Sequence, residues 1–173
     1  MTSTQMQRET QKSPKQQFID SYHREVQTTL RVLRALPANE VELRPHAKAK
    51  TARELAWIFV VEQSMLAAAL KGPLPLGQGF PPAPNNYNDI VSQFEQSSTA
   101  LEKSFENLSD ADLNRTVDFF AGPGKMAPYP ILELAQFMLC DQIHHRGQLS
   151  VYVRMAGGKV PSIYGPSLDE PWT

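Results

Sequence analysis

Apolar residues recur along this chain at alternating steps of three and four, the spacing that puts side chains on one face of a helix. The first such line is Phe18, Tyr22, Val26, Thr29, Leu33 and Leu36. Ser13-Pro14-Lys15-Gln16 precedes it with a capping serine, a first-turn proline and a reciprocal glutamine, and Pro37 ends it. A second line runs through Leu55, Ile58, Phe59, Met65, Leu66 and Ala69, opened by the capping box Thr51-Ala52-Arg53-Glu54 and closed by Gly72-Pro73. A third carries Tyr87, Ile90, Phe94, Leu101, Phe105 and Leu108, with Ser98 interrupting the face, and stops near Ser109-Asp110.

A fourth helix is predicted from Pro130, which suits a first turn, to the Gly157-Gly158 pair. The connection before the third helix, KGPLPLGQGFPPAPNN at residues 71–86, holds five prolines and three glycines, so it is read as an extended crossover. A link of that length lets the helices on either side run parallel. Residues around Gly122-Pro123-Gly124 read as irregular, and residues 159–173 as a proline-punctuated tail. No convincing alternating strand is found. The expectation is an all-α fold, a four-helix bundle with one long crossover between the second and third helices. Residues 1–12 are read as a flexible tail and 13–173 as a single domain.

Composition narrows the function classes. With 173 residues, a formal net charge of −1 and scattered acids and bases, the chain has no basic stripe to neutralise a nucleic-acid backbone. Its N-terminal stretch MTSTQMQRETQKSPKQQ has no apolar segment of the secretory kind, and no run approaches the roughly 18 apolar residues of a membrane span. A cytoplasmic protein with neither nucleic-acid nor membrane partners is expected. The lone cysteine, Cys140, excludes an internal disulfide and is expected to pack as a small apolar residue.

The fourth helix breaks its own pattern. Its face reads Ile131, Leu134, Met138, Asp141, His145, Gln148, Tyr152, Met155, with three polar residues in the middle. Asp141 and His145 are four apart, one turn on the same face, and can share an ion. The second helix offers Glu62 on its line Leu55, Ile58, Glu62, Met65, Ala69. Two readings stay open at this point. Either these groups gather round a metal, or Asp141, His145 and Gln148 satisfy one another in a core network while Glu62 is solvated. His144 lies about 100 degrees round the helix from His145, which sends it to the edge of any site. His23 and His46 read as boundary or surface residues. Arg146 is expected to reach a carboxylate or helix carbonyls, and Gly147 to permit a close helix approach.

The stretch HHRGQLSVYVRMAGGKVPSIYGPS, residues 144–167, resembles the signature of the DinB/YfiT-like family of small four-helix metalloproteins, which shares a name with an unrelated DNA polymerase. RPHAKAKTARELAW, residues 44–57, is similar to the lead into that family's second helix. The resemblance implies a divalent ion held by three histidines, one from the second helix and two spaced four apart on the fourth. Here His145 matches the last, Asp141 stands at the middle position, and Ile58 at the second-helix position. Asp141 and Glu62 together would turn an all-imidazole site into an oxygen-rich one, favouring manganese, magnesium or another hard ion over zinc.

The implied cofactors are one divalent ion (nickel, zinc or manganese) and a low-molecular-weight thiol. The implied activity is that of a metal-dependent, thiol-cofactor transferase or a hydrolase-type enzyme, in a homodimer acting on a small molecule. The metal ligands would be His145, Asp141 and Glu62, with Ile58, His144 and Gln148 around the pocket. The alternative is a non-catalytic protein with a degenerate site, either binding a small ligand or serving as an oligomeric stress-associated protein.

Overall fold

The computed structural model describes residues 12–74 and 79–172. The expected flexible tail falls, except for Lys12, outside the described residues. Four long helices carry the fold: α1 (Pro14–Ala35), α2 (Ala52–Lys71), α3 (Tyr87–Asn107) and, after the short α4 (Asp110–Asn114) and a hairpin, α5 (Ile131–Met155). The bundle expected from the apolar periodicity is therefore present, and the helix starts follow the chemistry at their ends. Ser13 Oγ accepts from the Gln16 amide at 3.2 Å. At α2 the Thr51 hydroxyl accepts from the Glu54 amide at 3.1 Å while the Glu54 carboxylate accepts from the Thr51 amide at 2.7 Å. These bonds satisfy amides that the first helical turn leaves without partners.

α2 packs against α3 and α5, and α1 packs against the same two, so α1 and α2 face each other diagonally across the core. The crossover returns along α2: Arg53 donates to the carbonyls of Ala83 and Pro84, and the Trp57 indole donates to the Pro81 carbonyl at 2.8 Å. α3 thus starts beside the start of α2 and runs parallel to it, as a long link allows. α5 runs antiparallel to α2, with the Tyr152 hydroxyl donating to the Lys50 carbonyl at 3.0 Å. Every residue of the α1 line is buried, and Phe18 meets Phe105 of α3 with ring centroids 4.7 Å apart. Phe59 of α2 meets Phe94 of α3 edge-on at 5.9 Å. Each such side chain contributes roughly 1.5–3 kcal/mol by leaving water.

The segment read as irregular is an antiparallel hairpin of β1 (Thr116–Gly122) and β2 (Lys125–Pro130). Val117 and Phe119 point inward while Asp118 and Phe120 point out, an alternation only four residues long. Pro128 and Pro130 in β2 argue against a strand in sequence, but a two-stranded ribbon is all edge and loses few backbone bonds to them. Pro130 does not enter the helix; it ends β2 and caps α5. At the other end of α5 the amides of Gly157 and Gly158 donate back to the carbonyls of Arg154 and Val153, with Gly157 at φ +77°. The proline-punctuated tail is tied to α1, through Arg31 to the Ser162 carbonyl and to Glu170, and to α5, through Arg154 to Asp169.

Candidate metal centre

α2 and α5 bring Glu62, Asp141 and His145 together, one potential ligand atom from each lying within 4.8 Å of the others. His145 Nε2 is 3.5 Å from Glu62 Oε1 and 3.7 Å from Asp141 Oδ2. The other ring nitrogen, Nδ1, faces Gln148 Oε1 at 3.2 Å, and the Gln148 amide nitrogen in turn meets His144 Nε2 at 3.0 Å. An amide oxygen can only accept, so Nδ1 is the donor in that contact, and Nε2 is the nitrogen turned toward the two carboxyls. A histidine ligand needs that arrangement, with the far nitrogen pinned by a hydrogen bond. His144 and Gln148 are exposed and act on the rim, where His144 was expected.

Glu62 departs from the solvated alternative. It is 5% exposed, and neither carboxyl oxygen has a hydrogen-bond partner. Burial, followed by the nearby Asp141 charge, pushes its pKa up to about 9. A buried carboxyl without partners is rare, because desolvation goes unrepaid unless a proton or a cation sits on it. Here its Oε1 lies 3.5 Å from His145 Nε2, and Asp141 Oδ2 lies 3.7 Å from the same nitrogen. That orphaned pair of oxygens fits a cation: two carboxylate oxygens and one imidazole nitrogen supply three protein ligands, a set suited to hard ions such as Mn²⁺.

His145 also lines a cleft of about 550 Å³, whose wall combines the apolar Pro45, Ala49, Leu55, Ile58 and Val151 with the polar Lys50, Gln148 and Tyr152. Ile58, one turn before Glu62, belongs to this wall and has no atom to offer an ion. His23 and His46 stay out of the set, His23 paired with Glu102 at 3.1 Å and His46 accepting from the Lys48 amide.

Sequence reasoning missed the polar network beneath the centre. The Tyr22 hydroxyl donates to Gln63 Oε1 at 2.6 Å, and Gln63 Nε2 donates to Gln142 Oε1 at 3.3 Å, joining α1, α2 and α5. Its signal was available, since Gln63 and Gln142 interrupt apolar stripes at helical spacing. Arg146 does reach a carboxylate and a helix carbonyl, but from inside the core, at 1% exposure. It pairs with Glu25 at 2.7 Å, and donates to the Glu25 carbonyl, to the Thr29 hydroxyl and, at 2.7 Å, to the Tyr164 hydroxyl oxygen. Cys140 is exposed, not packed, because it lies on the solvent side of α5. Gly147 serves no close approach either: a methyl group added there would meet nothing within 4 Å.

The sequence profile of the DinB family matches residues 6–172. An uncharacterised protein of Bacillus subtilis strain 168, YrdA, is 26% identical over 154 residues, covering 88% of this chain and 89% of its own. Among solved structures, a DinB-like protein from Bacillus cereus ATCC 10987 superposes with a TM-score of 0.71 at 24% identity, over 86% of this chain and 97% of its own. YfiT from B. subtilis, described as a probable metal-dependent hydrolase with an unusual four-helix bundle topology, superposes with a TM-score of 0.64 at 10% identity, over 83% and 87% of the two chains.

Proposed function

This chain belongs to the DinB family, and from that premise we propose that it is a divalent-metal-dependent enzyme of the hydrolase or thiol-cofactor transferase type, with its ion held by Glu62, Asp141 and His145. The observation that carries this reading is the buried Glu62 carboxyl, whose oxygens lack hydrogen-bond partners and whose Oε1 lies 3.5 Å from His145 Nε2. The description of YfiT as a probable metal-dependent hydrolase supports the same class. When bound, such an ion supplies Lewis acidity and lowers the pKa of a coordinated water or thiol. The chain's own residues do the rest. Gln148 fixes the imidazole tautomer, and Ile58 and Leu55 keep water from one side of the centre. With no ion, Glu62 keeps its proton. The small-ligand-binding alternative is favoured by one observation, the apolar cleft beside the centre.

Calorimetric titration with Mn²⁺, Zn²⁺ and Ni²⁺ tests the proposal. Wild-type protein is expected to bind one ion, with Mn²⁺ competitive against Zn²⁺, and His145→Ala and Glu62→Gln are each expected to weaken it tenfold or more. Equal affinity in wild type and both variants, or no binding in any of them, would leave the pocket as a metal-free ligand site.

A further inference from the structure

We infer that the cleft beside Glu62, Asp141 and His145 receives the aliphatic chain of an acyl substrate, an ester, amide or thioester whose polar group lies at His145. The position of that polar end rests on the metal reading; the chain's place in the cleft does not. Five of its wall residues, Pro45, Ala49, Leu55, Ile58 and Val151, offer only hydrocarbon or ring surface. Three of the polar side chains that line it, those of His145, Gln148 and Tyr152, are already engaged. His145 Nδ1 and the Gln148 amide hold each other and His144, and the Tyr152 hydroxyl is spent on the Lys50 carbonyl. Lys50 also lines the cleft and is solvent-exposed, which leaves the five apolar side chains as the surface that a hydrocarbon chain would cover.

The volume, about 550 Å³, lies within the range of small-molecule sites. Val151 stands 55% exposed on this wall, an uncovered apolar surface that a bound chain would shield. Ile58 and Lys50 also wall a second cleft of about 510 Å³, where Trp57, Val61 and Phe80 stand beside the charged Arg53 and Glu54, so the apolar lining belongs to the first cleft and gives way to a mixed one past Ile58.

Aliphatic hydroxamates of two, four, six and eight carbons, titrated against Mn²⁺-loaded protein, test this directly. Affinity is expected to rise about two- to fourfold for each added methylene, the gain from burying part or all of a CH₂ group. Ile58→Gln and Val151→Glu are expected to flatten that slope, Val151→Glu while leaving Mn²⁺ affinity unchanged. Should the protein take no Mn²⁺, the metal reading falls. The n-alcohols from butanol to octanol then decide the cleft alone, with the same slope and the same two variants. Affinity independent of chain length, or a slope that neither variant changes, overturns the inference.

Discussion

Glu62 holds two demands in conflict, and pH separates them. Its carboxyl titrates near 9 in the fold against an ordinary value of 4.5. Between those values the native state keeps a proton that the unfolded chain has lost, so ion-free protein becomes less stable as pH rises. The full contribution is present below pH 4.5 and is gone above 9. Thermal unfolding of chelator-treated protein from pH 5 to 9 is expected to show a falling melting temperature, less steep in Glu62→Gln. A profile identical in the two proteins would mean that Glu62 is not the buried acid described. Arg146 shows the opposite case, a buried charge fully met. Glu25→Ala leaves that guanidinium without its carboxylate and should cost roughly 3–5 kcal/mol in urea unfolding. Asp141 and His145 were legible in sequence because a four-residue step is a contact in any helix. Glu62's burial was not, because it depends on which face of α2 meets α5.

Two glycines, one inside α5 and one just past its end, show how little a residue type says without its surroundings. At Gly158 an added methyl would lie 2.5 Å from the Ala35 carbonyl oxygen and 2.9 Å from Val153, where α1 ends. Gly158→Ala should destabilise by roughly 1–3 kcal/mol, since backbone must move. Gly147 sits in open space inside the helix, and Gly147→Ala should stabilise by about 0.5–1 kcal/mol. Chemical denaturation of both variants checks the pair, and matching signs would contradict it. The close approach expected at Gly147 therefore occurs eleven residues further on, at Gly158. Helix starts were readable because their capping bonds are local. The hairpin was not, since its alternation spans only Val117 to Phe120 and its partner strand carries prolines.

At the scale of the molecule, the long crossover makes α2 parallel to α3 and leaves α5 to close the bundle against both α1 and α2. That topology sets Glu62 against Asp141 and His145, residues that no local pattern connects. Family membership and bundle architecture could be read from the apolar periodicity and the HHRGQ stretch. The altered ligand set needed the third dimension. The most direct test is a crystal of the wild-type protein grown with Mn²⁺ and measured for anomalous scattering. One strong peak within about 2.3 Å of Glu62, Asp141 and His145 Nε2 is the expected result. A density map with those three side chains ordered and no peak between them, while Mn²⁺ binds elsewhere or not at all, would contradict the account.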